Sequence, residues 1–408
     1  MSPQSQSPPK TKTVVIVGAA GNVGRGIFTA CYSRSPLWNV IAVDPLIDTL
    51  IDPAEQDSAS ASASDSASGS NQSTGSSTKS TVRRVHTLIK AKIEHVDDET
   101  FQSWFSVDDG GFNVNDDHDV EFIHASDDGN RDHYAENPNL GQDNDARFQA
   151  FVRRIASAIE VSQSQSGSVN LQTENQSRVT ATSTSTRQAQ QVHISYIGGS
   201  WTRRQPQNNT VTNASPIKPG GGSNPYEISK TRAESNARAL AAQYAAHHHL
   251  SITFLDCISV VPNYAPNFSI NRMVRSAHEH GIIKFSSGGD YGRPLLHSSQ
   301  AGELVASLIE RRRAGGELGN NDNGGSFETV LVPGHFVPFQ TFARIAKAAV
   351  LKKYGRKEND ITFQEYEETP DELRTRCISA ITKDWFVCNS ALVELGLEQS
   401  AQHSLEHD

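Results

Sequence analysis

The fold of this chain is decided by residues 13–24, which read Thr-Val-Val-Ile-Val-Gly-Ala-Ala-Gly-Asn-Val-Gly. The first five residues form an apolar run, which is typical of a strand that is buried on both faces. A helical pattern follows the glycines and continues to about Ser33. Residues 39–43 form a second apolar run, which ends at Asp44. The order strand, turn, helix, strand predicts a parallel βαβ unit.

The three glycines of this turn have separable roles. Gly18 permits a tight turn, Gly21 lets the backbone approach a pyrophosphate, and Gly24 lets the helix pack close to the sheet. A helix N-terminus also offers unpaired N–H groups to phosphates, so Asn22 and Val23 are further candidate contacts. The sequence therefore predicts a site that binds a dinucleotide.

Asp44 lies at the end of the second strand, 20 residues after Gly24. A carboxylate at this position can accept hydrogen bonds from both adenosine ribose hydroxyls, and it would repel a 2′-phosphate. No Arg or Lys occurs in residues 45–48. We therefore expect NAD as the cofactor rather than NADP.

Composition excludes several classes of protein. The chain has 408 residues and a net charge of -9, without a prominent basic patch, so nucleic acid is not an expected partner. No apolar run approaches the roughly 20 residues that a membrane span needs, and residues 1–12 lack the apolar stretch of a secretory signal. The four cysteines show no metal-type spacing. We expect a cytoplasmic protein with no membrane contact and no metal site.

Helix and strand signals alternate along most of the chain, which predicts an α/β fold with a Rossmann-type doubly wound parallel sheet. We assign residues 12–262 to an NAD-binding domain. Two polar insertions, at about 53–80 and 162–190, interrupt it, and their Ser-rich composition favours disorder. The last third shows too little alternation to add strands to the wound sheet, so residues 263–400 are expected to form mainly a smaller substrate-binding lobe with interleaved boundaries.

A serine, a tyrosine and a lysine form the candidate catalytic set. Tyr226 and Lys230 are four residues apart on a predicted helix of residues 225–249, so they share one helix face. A nearby ammonium and a positive nicotinamide ring would favour the phenolate, which makes Tyr226 a usable base. Lys230 can also hold the nicotinamide ribose. Ser200 follows an apolar run and would donate a hydrogen bond to a substrate oxygen.

These motifs resemble the extended short-chain dehydrogenase/reductase group, specifically the NAD-dependent epimerase/dehydratase family, over about residues 12–350. The segments that carry the resemblance are residues 17–24, 121–126, 197–202, 224–230 and 292–297. The resemblance implies that Ala125 contacts the cofactor, that Ser200, Tyr226 and Lys230 are catalytic, and that Arg293 grips a nucleotide diphosphate. It also implies a small-molecule substrate, a nucleotide sugar among the candidates, and a homodimer.

The chain departs from the family pattern at several positions. Ala91 and Lys92 replace a Gly-Asp pair after the third strand, Ser259 stands where a substrate-binding asparagine is usual, and Gln300 replaces an aspartate. Trp201 occupies the place of the acid that dehydratases and decarboxylases carry, which disfavours those reactions. Trp201 is compatible with either a pocket position or a core position.

Three functions remain open at this point. The first is an NAD-dependent epimerase or oxidoreductase that acts on a hydroxyl or carbonyl carbon of a nucleotide sugar. The second is a reductase or dehydrogenase that uses a non-sugar carbonyl and needs added cofactor. The third is a non-catalytic module that binds NAD. Arg293, to which the resemblance gives a nucleotide diphosphate as ligand, favours the first function. Ser259, which stands where a substrate-binding asparagine is usual, argues against a sugar nucleotide.

Overall fold

The computed structural model describes most of the segments that carry the predicted motifs. The described residues are 12–34, 38–50, 86–105, 120–127, 131–173, 192–207, 210–212, 214–248, 250–261, 269–286, 291–313, 326–332, 334–366, 381–382 and 386–387. The first predicted insertion, at about 53–80, lies outside them. Within the described residues, no helix combines the length and apolar character that crossing a bilayer requires.

The helices are α1 (Asn22–Ser33), α2 (Asp98–Ser103), α3 (Arg131–Glu136), α4 (Leu140–Thr173), α5 (Pro225–His248), α6 (Ser269–His280), α7 (Ser298–Arg313) and α8 (Phe339–Tyr354). The strands are β1 (Lys12–Val17), β2 (Trp38–Val43), β3 (His86–Ile89), β4 (Val120–His124), β5 (Val192–Tyr196), β6 (Thr210–Val211), β7 (Leu250–Cys257), β8 (Ser259–Val261), β9 (Ile282–Ser286), β10 (Tyr291–His297), β11 (Phe327–Val332), β12 (His335–Pro338), β13 (Thr362–Tyr366), β14 (Ile381–Thr382) and β15 (Phe386–Val387).

A parallel sheet of seven strands forms the centre, in the order β11-β7-β5-β4-β1-β2-β3. The chain moves outward from β1 in one direction through β2 and β3, and then returns to β4 on the other side of β1. This reversal between β1 and β4 is the topological switch point at which open α/β sheets bind ligands. The predicted α/β fold with a doubly wound sheet is confirmed.

Alternate residues of β1 face two separate cores, because successive side chains on a strand point to opposite faces. Val14 and Ile16 pack in the core that includes α1 and α7. Val15 and Val17 pack in the core formed with α2, α4 and α5. Burial on both faces explains why β1 reads as a continuous apolar run rather than as an alternating one.

The last third of the chain contributes to two layers. The sheet β12-β10-β14, with β8 beside β10, and the pair β9-β13 lie outside the central sheet. They pack with α6 and α8 around a third core that includes Phe285, Phe339 and Phe342. However, α7 packs against α1, and β11 is an edge strand of the central sheet. The expectation that the last third adds no strand to the wound sheet is therefore wrong.

The second predicted insertion is only partly outside the described residues. Helix α4 continues to Thr173, twelve residues past the predicted end at Val161, so residues 162–173 are helical. Ser, Gln and Thr have only modest helix propensity, but adding residues to an existing helix is much easier than nucleating one. Apolar residues stop recurring at helical spacing near Val161, whose side chain is exposed. The sequence therefore carries no amphipathic pattern that would indicate the rest of the helix.

Candidate active site

The glycine turn holds the end of β1 against the end of β4. Gly18 has a left-handed backbone with φ of 80°, which glycine adopts without strain. A Cβ on Gly18 would lie 2.8 Å from the carbonyl carbon of Ala125 and from Cα of Ser126. A Cβ on Gly24 would overlap the carbonyl oxygen of Gly18. The predicted cofactor contact Ala125 therefore lies directly against the turn.

Helix α1 begins at this turn without a side-chain cap. Gly21 occupies the N-cap position, and it has no side chain that could accept a hydrogen bond from the first turn. The first N–H groups of a helix have no partner within the helix, so they can bind an anion. Asn22 is exposed and Val23 is partly buried at this end, whereas Gly24 is buried. This geometry fits a dinucleotide phosphate.

Asp44 lies beside the same turn. Its Oδ2 accepts a hydrogen bond from the Ala20 N–H at 3.1 Å, and its Oδ1 accepts one from the Leu46 N–H at 2.7 Å. The carboxylate is mostly buried, with 8% of the residue exposed. Both oxygens are thus held by backbone N–H groups at the carboxyl end of β2, where a ribose would lie in a dinucleotide site.

The three candidate catalytic side chains converge. Ser200 follows β5 and is buried, Tyr226 lies in the first turn of α5, and Lys230 lies one turn further along the same helix. The Ser200 hydroxyl lies close enough to the Tyr226 phenol to influence its pKa, and it makes a hydrogen bond with the Thr202 hydroxyl at 2.9 Å. The Lys230 ammonium nitrogen lies 5.5 Å from the centre of the Tyr226 ring. Hydroxyl, phenol and ammonium therefore form one cluster.

Burial raises the pKa of the Tyr226 phenol above its ordinary value, although the charge of Lys230 and the nearby Ser200 hydroxyl act in the opposite direction. The phenol of the cofactor-free protein is therefore protonated at neutral pH. Burial outweighs the lowering influence of the lysine charge here. A positive nicotinamide ring would add to the lowering influence of Lys230.

A carboxylate and two further tyrosines surround this cluster, and the sequence analysis missed all three. Asp127 Oδ2 lies 3.3 Å from Lys230 Nζ and accepts a hydrogen bond from the Tyr196 phenol at 2.7 Å. The Tyr134 ring packs edge-on against the Tyr226 ring, with 5.2 Å between their centres. None of these residues belongs to a short motif, so the only available signal was the need of a buried lysine for a counter-charge.

A buried ion network supports the segment that carries Ser200. The Arg203 guanidinium pairs with Asp256 at 2.8 Å and with Glu234 at 2.5 Å, and Arg204 pairs with Asp256 at 2.6 Å. Arg203 and Asp256 have no exposed side-chain surface. A Cβ on Gly199 would lie 2.5 Å from the Asp256 carboxylate, so the backbone before Ser200 rests on this network.

Trp201 lies in the core. The residue is 3% exposed and packs in the cluster that includes Val211, Leu255 and Ile258. Its place next to Ser200 therefore does not put the indole into the open region of the site. Of the two positions that the sequence allowed for Trp201, the structure has the core position.

The two candidate substrate contacts lie on neighbouring strands. Ser259 on β8 is paired in register with Leu295 on β10, and Arg293 is two residues before Leu295. Cys257, two residues before Ser259, is close enough to Tyr226 to influence its pKa. The strand that carries Ser259 therefore begins two residues after Cys257, the residue of the central sheet that lies near Tyr226. Gln300 has a structural role, because its side chain accepts a hydrogen bond from the His297 N–H at 3.0 Å.

No group of three or more His, Cys, Asp or Glu side chains that could hold a metal ion occurs among the residues for which the structure gives positions. The described cysteines, Cys31 and Cys257, are not in disulfides. Burial raises the pKa of the Cys257 thiol to about 12, so this thiol is protonated at neutral pH.

Comparison with known proteins gives a clear result only for structure. No protein-family model matches the chain, and no curated protein sequence matches it. The UDP-glucose 4-epimerase from Brucella ovis, solved in complex with NAD, is 13% identical with a TM-score of 0.54, and the match covers 95% of this chain and 93% of that chain. MoeE5, solved in complex with UDP-glucose and NAD, is 14% identical with a TM-score of 0.50 over 94% of this chain and 92% of that chain. At such low identity the likeness establishes the shared fold, which is a Rossmann-type α/β fold across nearly the whole chain.

Proposed function

We propose that this chain is an NAD-dependent enzyme that acts on a hydroxyl or carbonyl carbon of a nucleoside diphosphate sugar, as an epimerase or a related oxidoreductase. One observation carries the proposal: Ser200, Tyr226 and Lys230 form one cluster, and Asp127 connects it to the chain segment that contacts the glycine turn. The fold likeness to two structures that contain NAD and to a UDP-glucose 4-epimerase supports the choice of cofactor and substrate class.

The residues fit an NAD molecule. The glycine turn packs directly on the backbone of Ala125 and Ser126, where a Cβ would clash, the uncapped start of α1 suits the pyrophosphate, and Asp44 suits the adenosine ribose. The carboxylate of Asp44 would repel the 2′-phosphate of NADP, so NAD is the preferred form. When bound, NAD would accept and return a hydride at the reacting carbon.

The side chains of the cluster would handle the proton. Ser200 would donate a hydrogen bond to the substrate oxygen. In the oxidative direction the Tyr226 phenolate would take the hydroxyl proton as the carbinol becomes a carbonyl, and in the reductive direction the phenol would return a proton to the same oxygen. Lys230 would stabilise the phenolate and bind the nicotinamide ribose. The raised pKa of Tyr226 suits its role as an acid, and the charge of Lys230 supports its role as a base.

Arg293 is the proposed ligand of the substrate diphosphate. It lies on β10 beside the strand of Ser259, and a guanidinium suits phosphate geometry. Arg293→Met is expected to raise KM for a nucleoside diphosphate sugar with a smaller effect on kcat. An equal KM for wild type and variant would remove Arg293 from substrate binding.

A net reductase or dehydrogenase of a non-sugar carbonyl is the second candidate. The observation that favours it is Ser259 at the position where an asparagine would be expected to bind a sugar nucleotide. Cofactor consumption distinguishes the two candidates. An epimerase recycles its NAD and shows no net change in the absorbance of reduced cofactor during product formation. A steady requirement for added cofactor would exclude the epimerase and favour the second candidate.

Homodimer formation is a further proposal, which sedimentation would test.

A further inference from the structure

Lys230 forms an ion pair with a carboxylate that the candidate catalytic set does not include. Asp127 lies three residues beyond the end of β4, and its Oδ2 is 3.3 Å from Lys230 Nζ. The two side chains are only 5% and 4% exposed. The phenol of Tyr196, a residue with no exposed surface, donates a hydrogen bond to the same carboxylate oxygen and fixes its position.

Because both side chains are buried, the pairing with Asp127 affects whether Lys230 keeps its charge. Removing an ammonium from water favours its neutral form, so an uncompensated buried lysine loses its charge near neutral pH. Burial alone would lower the pKa of Lys230, but the charge of Asp127, followed by smaller contributions from Tyr226 and Tyr134, raises it well above its ordinary value. The lysine can lower the pKa of a neighbouring phenol only while it carries its own charge.

Several other titratable groups face Lys230 from the surrounding elements. They are His124 at the end of β4, Tyr134 on α3, Asp145 on α4, Tyr226 on α5 and Cys257 on β7. Tyr196 on β5 contacts Asp127 rather than Lys230. Burial keeps His124 neutral and the three phenols and the thiol protonated. Asp145 forms its own ion pair with Arg232. Asp127 is therefore the group of this cluster that is placed to balance the charge of Lys230.

Resting on the proposed function, we infer that Asp127 is a positioning residue of this site, a built-in counter-ion that keeps Lys230 charged and directed toward the Tyr226 phenol. It acts through Lys230. Its contribution is to extend the pH range over which the Ser200, Tyr226 and Lys230 set is competent.

The direct test follows the protonation of Lys230 without cofactor or substrate. Lysine side-chain NMR signals of the full chain are recorded against pH, and Lys230→Arg identifies the Lys230 signal. In Asp127→Asn, which is nearly isosteric and can still accept from Tyr196, the midpoint of Lys230 is expected to fall by about one pH unit or more. Asp145→Asn removes a carboxylate that is ion-paired with Arg232 rather than with Lys230, and it should shift the midpoint much less than Asp127→Asn does. An unshifted midpoint in Asp127→Asn would overturn the inference.

A second test uses turnover. The alkaline limb of the kcat profile should move to lower pH in Asp127→Asn, so that the ratio of variant to wild-type kcat falls about tenfold for each pH unit beyond the new midpoint. Asp127→Glu, which keeps the charge, should restore the wild-type profile in part. A merely structural role predicts an equal loss at every pH, and that result would also contradict the inference. In a Lys230→Met background, Asp127→Asn should produce no further change in profile.

The two tests separate this inference from the proposed function. If the wild-type chain neither binds NAD nor turns over a nucleoside diphosphate sugar, the proposed function fails, whereas the NMR titration still decides whether Asp127 holds Lys230 charged. If turnover is present and the NMR midpoint does not depend on Asp127, only the counter-ion role is lost.

Discussion

The Cα of Gly18 lies so close to Ala125 that a Cβ on the glycine would come within 2.8 Å of the alanine carbonyl group. This contact joins the turn after β1 to the end of β4, on the two sides of the switch point of the sheet. It brings residues 125–127 next to the turn. The cofactor cradle and the candidate catalytic cluster are therefore connected through one short piece of backbone.

Gly18→Ala is accordingly expected to abolish NAD binding. The new Cβ would clash with Ala125, and an alanine at φ of 80° would also be strained by about 1 kcal/mol. Gly220→Ala is the matched control, because Gly220 also has a left-handed φ, of 69°, but a Cβ added there would meet no described atom within 4 Å. Calorimetric titration with NAD should show a loss of at least about 100-fold in affinity for the first variant and little change for the second. Equal affinities would place the cofactor elsewhere.

Asp44 should control the choice between NAD and NADP. Asp44→Asn removes the negative charge at the expected ribose, so NAD affinity should fall by about tenfold while the affinity for NADP falls less or rises. The control is Asp48→Asn in the same loop, where the carboxylate is exposed and pairs with Lys90. Binding titrations with both cofactors measure the ratio. An unchanged ratio in Asp44→Asn would show that this carboxylate does not contact the ribose.

The buried ion network beneath Ser200 should matter for stability. Asp256→Asn leaves the guanidinium groups of Arg203 and Arg204 without their shared charge, and breaking a buried pair of this kind costs about 3–5 kcal/mol. Arg34→Met is the control, because Arg34 pairs with the half-exposed Glu303 and Glu310, where a loss of about 1 kcal/mol or less is expected. Urea unfolding of both variants gives the comparison. Similar urea midpoints for the two variants would contradict the prediction that the buried network contributes more to stability than the exposed ion pairs of Arg34.

The two directions of the proposed reaction should depend on pH in opposite ways. Burial raises the pKa of the Tyr226 phenol, so the phenolate fraction is small at neutral pH and grows as pH increases. Oxidation of a hydroxyl, which needs the phenolate, should accelerate with rising pH. Reduction of a carbonyl, which uses the protonated phenol, should be flat at neutral pH and then decline. Initial rates in both directions across the pH range test this, and parallel profiles would exclude Tyr226 as the titrating group.

Much of the central sheet was predictable because its signals are local. The glycine turn, the acid at Asp44 and the helical spacing of Tyr226 and Lys230 are all short patterns, and the structure places each in the predicted element. Strand β10 was missed because Gly292 and Pro294 interrupt its pattern, and both residues disfavour strand interiors. The place of the edge strand β11 in the sheet depends on pairing with β7 across about 75 residues of sequence, which no local pattern reports.

The candidate site was likewise predictable only where its residues belong to short local motifs. Ser200, Tyr226 and Lys230 follow from motifs, but Asp127 and Tyr134 reach Lys230 through the loop after β4 and through α3, which carry no recognisable pattern. One signal was available and not used: Asp256 is a charge within the apolar run of β7, and a charge buried in a strand requires a partner. That partner is Arg203, next to the predicted catalytic segment.

The central claim is tested most directly by turnover of nucleoside diphosphate sugars in the presence of NAD, measured by product chromatography and mass for wild type and Tyr226→Phe. We expect the wild type to convert at least one member of the panel. The variant should bind NAD with unchanged affinity and should turn over about 100- to 10,000-fold more slowly, because it lacks only the phenol oxygen that exchanges the proton. A Tyr226→Phe protein that works at the wild-type rate would contradict the claim that this phenol is the acid and base of the site.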